Sequence, residues 1–309
     1  MIRFDRFMCG LAAMAGMAGV PTLAQEAGGV SGTSFRFEGR VGAEYNSNVA
    51  VADLDTNTGE GDWAATVNLL AEATLIPVNK LTLRGGYDFS QTLHNEFDAF
   101  DLTIHRGYAE FAYDFDAVTA GVLGNLAQAS LDGDEYLTYS QVSPYLSKQF
   151  GETMFLRGAY AATKKEFDGR PTRDADQEAV SVDAYFFLDG VKRYVALGGK
   201  RMEEDANSDE FDWSGGSGKV RLVQRFDAMG REMTFRAGAE YEQRDYDNVT
   251  PAIGAPREDK RTMLDLSLEA PFGERFFAEA SYKYGDYSSN LASADFDEHV
   301  GAIKIGVKY

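Results

Sequence analysis

Apolar and polar residues alternate with a period of two along most of this chain. In residues 262–270, Leu264, Leu266, Leu268 and Ala270 fall on one side, and Met263, Asp265, Ser267 and Glu269 on the other. Residues 233–241 repeat the pattern, with Met233, Phe235, Ala237, Ala239 and Tyr241 set against Thr234, Arg236, Gly238 and Glu240. A period of two is that of a strand, whose successive side chains point to opposite faces. Read this way, the chain predicts strands at 34–45, 63–76, 80–92, 102–114, 117–130, 136–149, 153–166, 178–188, 192–203, 213–226, 231–245, 261–270, 275–287 and 299–309. After the first two dozen residues no run of about 18 apolar residues occurs, so a transmembrane helix is not expected.

The connectors decide between a soluble sandwich and a membrane barrel, because both alternate. Those at 77–79, 114–116, 150–152, 188–191, 227–230 and 271–274 are short. Those at 46–62, 169–177, 204–212, 246–260 and 288–298 are longer and rich in Asp, Asn, Gly and Glu, while 95–101 and 131–135 are intermediate. Short turns on one rim and long loops on the other, with an even number of strands near 14, are the pattern of a transmembrane β-barrel. Closure has a physical cause: in hydrocarbon no open sheet edge can be left unpaired. The expected fold is therefore all-β, a single antiparallel up-and-down barrel over residues 34–309.

The beginning of the chain adds compartment. Arg3 and Arg6 precede an apolar run from Phe7 to Val20, followed by Pro21, Thr22, Leu23 and Ala24. This predicts a cleaved signal peptide over 1–24 and a short periplasmic segment over 25–33. The single cysteine, Cys9, falls inside the signal, which leaves no disulfide framework and no Cys-ligated zinc site. With 49 Asp and Glu against 30 Lys and Arg, the formal net charge is -19, which excludes general nucleic-acid binding.

The final residues, Gly301 to Tyr309, alternate as Ala302-Ile303-Lys304-Ile305-Gly306-Val307-Lys308 and end on an aromatic ring. This segment resembles the terminal β-signal of Gram-negative outer-membrane β-barrels of the porin-like kind. The resemblance implies an outer-membrane location and recognition of Tyr309 by the barrel-assembly machinery during insertion; outer-membrane lipid and lipopolysaccharide become the expected surroundings. A shorter stretch, Gly42-Ala43-Glu44-Tyr45-Asn46-Ser47-Asn48-Val49, is similar to the opening of the carboxyl-terminal barrel of surface lipoprotein assembly modifiers. In those proteins a helical repeat domain usually precedes the barrel. Here only 25–33 stands before the first strand, and Asn46 and Asn48 also suit a plain turn.

If the apolar face meets lipid, the other face lines a lumen. It carries Arg36, Arg40, Glu72, Arg84, Asp88, Arg106, Glu110, Arg157, Asp183, Lys219, Arg221, Arg236, Glu240, Asp265, Glu269, Glu279, Lys283 and Lys304. Ions in a dry core cost several kcal/mol each, so they need water or close partners. A barrel of this width can hold water, and the sequence predicts a passive channel for small hydrophilic solutes. Two alternatives stand beside it: an export or assembly component, and a braced, non-conducting barrel that presents its loops. Acidic loop residues such as Asp53, Asp55, Glu60, Glu204, Asp209, Glu210 and Asp297 predict a mild cation preference at the mouth.

No enzyme, cofactor or resident metal is expected. The three histidines lie in no hydrolase or metalloenzyme motif. His94 and His105, either side of an acidic loop, could face each other at the outer rim and hold a metal. Tyr and Trp near strand ends, among them Trp63, Trp213, Tyr87, Tyr108, Tyr136, Tyr145, Tyr185, Tyr194, Tyr241 and Tyr246, suit the headgroup interface. The glycines at 198–199 and 215–218 suggest bends or bulges.

Overall fold

The computed structural model describes residues 32–78 and 80–309, so the expected signal peptide lies outside the described residues. The strands are β1 (Gly32–Asn46), β2 (Asp62–Val78), β3 (Leu81–His94), β4 (Leu102–Asp114), β5 (Thr119–Leu131), β6 (Asp134–Phe150) and β7 (Met154–Glu166). They continue as β8 (Ala175–Asp189), β9 (Arg193–Ala206), β10 (Trp213–Ala228), β11 (Arg231–Thr250), β12 (Ala255–Phe272), β13 (Phe276–Ser289) and β14 (Phe296–Lys308). Each pairs antiparallel with its neighbour in sequence, and β1 closes the ring on β14. Gly32 and Thr33, expected in the leading segment, already belong to β1, opposite Ile76 and Leu75.

Closure runs from Glu38 opposite Lys308 to Asn46 opposite Val300. At its lower end Phe37 and Tyr309 exchange backbone hydrogen bonds of 2.9 Å in each direction. Every strand thus has two partners, and no edge row of N–H and C=O groups is left open.

The two faces are inverted relative to a soluble protein. Outward positions are apolar and bare: Phe35 is 74% exposed, Ile303 70% and Leu126 59%. Inward positions include Arg157, Arg236 and Glu279, all buried. A continuous apolar band of this kind cannot face water, and it requires hydrocarbon around the wall.

Four expectations need correction. The loop expected at 246–260 is mostly ladder, since β11 and β12 run to Thr250 and Ala255 and leave only residues 251–254 between them. Above the bilayer neither face has to be apolar, so the polar sequence conceals the strand period. The connector at 131–135 is a two-residue turn in which Asp132 and Gly133 have φ of 50° and 85°, the left-handed pair that matches strand twist. At 198–199 and 215–218 the register is continuous, so these glycines are not bulges. Instead a Cβ at Gly198 would run into Lys219 and Asp183, which lie over it. Finally, Trp213, Tyr108, Tyr136, Tyr145, Tyr185 and Tyr194 are buried rather than at the lipid interface, unlike the exposed Trp63, Tyr87 and Tyr241. Strand alternation carries all of them inward except Tyr136, which lies at a register shift at the start of β6, and nearness to a strand end does not reveal a face.

Candidate functional site: the lumen and its inward-folded first loop

Register places all eighteen of the charged residues named above on the inner face. Arg36 stands opposite Glu72, Asp88 opposite Arg106, and Asp183 opposite Arg157 and Lys219's neighbour Gly198. Their surroundings differ with height.

In the half nearer the short turns the charges interlock. Arg40 donates to Glu38 at 2.8 Å and lies 3.5 Å from Glu279. Lys308 reaches Glu269 at 2.5 Å, with its Nζ 3.9 Å from the centre of the Phe277 ring, and Arg236 lies 3.5 Å from the same carboxylate. On the facing wall Arg84 meets Glu110 at 2.6 Å, and Tyr145 donates to Glu110 at 2.6 Å while Tyr108 donates to Glu72. Arg157 stacks 3.7 Å over the Tyr145 ring. Buried ions tolerate this only when paired and hydrogen-bonded.

At mid-height the pairs open. Arg106 holds Asp88 at 2.8 Å, Lys219 holds Asp183 at 3.0 Å, Arg221 lies 3.4 Å from Asp265 and Lys304 3.7 Å from Glu44. The side chains of Lys219 and Arg221 are 37% and 31% exposed although they point inward. Glu240 faces Lys219 across the ladder, and Lys283 faces Asp265. The wall of β5 to β7 at this level is neutral, with Asn125, Gln141 and Thr163 linked side chain to side chain.

Toward the long loops lies a set that sequence reasoning left out. Arg244 holds Glu242 at 2.7 Å and stacks 4.4 Å from Trp213. Arg257 holds Asp259 at 2.8 Å and stacks 4.7 Å from Tyr246. Lys165 and Glu204 meet at 2.6 Å. The signal was present in the even spacing of Glu242 and Arg244 and the odd spacing of Arg257, Asp259 and Arg261, once the loop assignment is dropped.

The larger omission is the first loop, residues 47–61, which folds into the mouth. Asn46 starts it: its side-chain Oδ1 accepts from the Asn48 backbone N–H at 3.0 Å, and its side-chain Nδ2 donates to Glu298 at 3.0 Å. A small ladder pairs Ala50 with Asn57 and Val51 with Thr56, closed by a 3-10 turn over Ala52–Leu54 and by Asp55 at φ 54°. Val51 and Leu54 pack on Ile104, Ala127, Ala129, Leu137 and Tyr139, on β4, β5 and β6. Arg173, in the connector between β7 and β8, donates to the Asp53 carbonyl at 2.9 Å and to Asp55 at 2.6 Å. From the other side Arg257 of β12 donates to Asp55 at 2.7 Å. A loop that leaves between β1 and β2 thus reaches strands on both sides of the ring. Burial opposes ionisation of Asp55, but hydrogen bonds and charges from Arg257 and Arg173 outweigh it and hold its pKa below the ordinary value.

The histidines do not meet. His94 points inward, 3.4 Å from Asp101, whereas His105 is outside, its Nδ1 2.6 Å from the Tyr87 hydroxyl and its ring against Phe89. Their strand positions have opposite parity, so the metal pair that they could have formed at the rim is not brought together. Among the described residues no group of three or more His, Cys, Asp or Glu side chains could hold a metal.

A closed antiparallel barrel with a lipid-facing apolar wall and a charged interior defines the class: a Gram-negative outer-membrane β-barrel. The comparison with solved structures agrees. The fold is similar to a loop-deletion mutant of OmpT, an outer membrane protein of Vibrio cholerae, at 10% identity and a TM-score of 0.51, over 90% of this chain and 99% of that one. It is equally similar to the anion-selective porin from Comamonas acidovorans, at 9% identity and a TM-score of 0.51, over 91% and 100% of the two chains. No protein-family model and no curated protein matches the sequence.

Proposed function

We propose that this barrel is a passive channel for small hydrophilic solutes, narrowed at its outer mouth by the first loop, and that it has no catalytic role. The observation that carries the reading is the half-exposed, inward-pointing charge at mid-height. Lys219 and Arg221 keep 37% and 31% of their side chains accessible inside the wall beside their carboxylate partners, which supports water reaching the lumen at this level. The eighteen inner-face residues are proposed to line the path. Alternating charge favours hydrated polar solutes over apolar ones.

The same reading includes a mild preference for cations. Lumen charges of both signs are largely paired, so the field at the mouth decides. Asp55 is neutralised by two arginines, but Glu60, Asp209 and Glu210 remain in the loops, and their field extends over about 8 Å at physiological salt. The likeness in fold to an anion-selective porin says nothing about sign, which depends on side chains. Tyr309 is proposed as the contact for the assembly machinery. The resemblance to assembly modifiers rests on the turn at 46–49, which here starts the inward loop, and it supplies no second reading.

The test is the purified barrel in a planar bilayer. Stable current steps, with reversal potentials favouring potassium at low salt, are expected. Silence would overturn the channel in favour of a braced barrel, and potentials favouring chloride would overturn the cation preference alone.

A further inference from the structure

Two ion pairs at mid-height span a strand that lies between their partners. Lys219 on β10 and Asp183 on β8 both stand in register with Gly198 of β9, one on each side of it, and meet at 3.0 Å. Arg221 on β10 and Asp265 on β12 flank Gly238 of β11 in the same way and approach to 3.4 Å. Neighbouring strands lie about 4.8 Å apart, so residues two strands apart in one row are separated by about 10 Å at the backbone. A cation and a carboxylate bridge that distance only by lying along the sheet, over a residue with no side chain. The two glycines supply that gap. A Cβ at Gly198 would strike the Lys219 stem and the Asp183 carboxylate, and one at Gly238 would strike the Asp265 carboxylate. Lys304 crosses Gly42 toward Asn68 likewise, but there a Cβ would also hit the Ile303 backbone carbonyl, so a substitution would disturb the wall itself.

We propose that Gly198 and Gly238, which carry no charge, determine the ion selectivity of the channel by seating Lys219 and Asp265 flat against the wall. The inference rests on the channel reading above. A charge held on the wall beside its counter-ion presents a weak field to the water column. The same charge turned toward the axis, away from its partner, stands in the path of a permeating ion. One methyl group added beneath each side chain makes that turn without altering the net charge. Lys219 is flexible and 37% exposed on its lumen side, so it yields toward the water; Asp265, 23% exposed, does the same. Asp183 is buried opposite Arg157 and stays at the wall. The seats hold opposite signs: Gly198 keeps a cation out of the path, and Gly238 a carboxylate.

Single-channel recording of the full barrel in a potassium chloride gradient tests the assignment. Gly198→Ala should lower the unitary conductance and shift the reversal potential toward chloride. Gly238→Ala should also lower the conductance but shift the potential toward potassium. Gly199→Ala, on the outside of the same strand with open space around it, should change neither. In a Lys219→Ala background Gly198→Ala should have no further effect, since the side chain it displaces is gone. Heat-modifiable migration on gels verifies that each variant is a folded barrel. If Gly198→Ala fails to assemble, Lys219→Ala should restore assembly, and a double variant that fails as well would overturn the seat. With a conducting wild type, unshifted potentials would overturn both seats and leave the channel reading intact. So would shifts of one sign from both variants, the mark of narrowing alone. A silent wild type would overturn the channel reading and the seats together.

Discussion

Asp55 at the tip of the first loop and Arg257 on β12, 202 positions apart in the chain, meet at 2.7 Å across the extracellular mouth. Arg173 holds the other carboxylate oxygen at 2.6 Å, so one side chain fastens the loop to two separate parts of the rim. Asp55→Ala removes both contacts. Arg257 keeps Asp259 and Arg173 keeps its stack on Phe211, so the barrel itself should stand. The loop should lose about 1–3 kcal/mol of its anchoring, read as larger and noisier single-channel currents with an unchanged unfolding temperature. A quiet, unaltered channel would count against the loop as the constriction.

The pH response of this fastening has a definite sign. The pKa of Asp55 is lowered in the folded loop, so its contribution is fully present above the ordinary value of 3.8 and is lost as pH falls below that value through the lower folded one. Conductance and current noise set by the loop should therefore be constant from neutral pH down to about 4. They should rise only in more acidic solution, where Asp55→Ala should show no such rise. A transition in recordings near neutral pH would require a different group.

Electrostatics is half of the anchoring, and Val51 and Leu54 on the β4 to β6 wall are the other half. Leu54→Asp places a charge against Ile104 and Tyr139 and should detach that side of the loop. Removing residues 50–57 altogether should raise the unitary conductance beyond either point variant. Liposome swelling with sugars of graded size should then admit larger solutes, and an unchanged size limit would place the constriction elsewhere.

If ions pass mid-lumen, they pass Lys219 and Arg221. Lys219→Glu leaves Asp183 facing a second carboxylate and should shift the reversal potential toward cations, most strongly at low salt. Lys148→Glu on the outward side of β6 should leave the potential unchanged. Identical potentials for the two variants would show that mid-lumen charge does not control permeation.

Two glycines on β14 separate packing from backbone freedom. At Gly306 a Cβ would strike the Phe277 ring, which is buried beside Arg40 and Lys308, whereas Gly301 faces open space. Gly306→Ala should destabilise the barrel by about 1–3 kcal/mol through overpacking, and Gly301→Ala should be neutral. Urea titration followed by tryptophan fluorescence reads the difference.

The sequence alone determined the number of strands, their approximate limits, the closed barrel and which charged residues face inward. These follow from a local rule, because a strand's side chains alternate whatever it pairs with, and a lipid-exposed wall forces one parity to be apolar. Where that force lapses, above the bilayer, the sequence misled: Arg257 and Asp259 read as loop. Nearness to a strand end misled as well, and Trp213, Tyr185 and Tyr194 read as lipid-interface rings. Only the tertiary structure decided that Asp55 meets Arg173 and Arg257, that His94 and His105 part, and that Tyr145 and Arg157 stack inside the wall. Each of these depends on how segments far apart in the chain come together around a ring. No local pattern encodes that distance, since it arises from the register and closure of all fourteen strands at once.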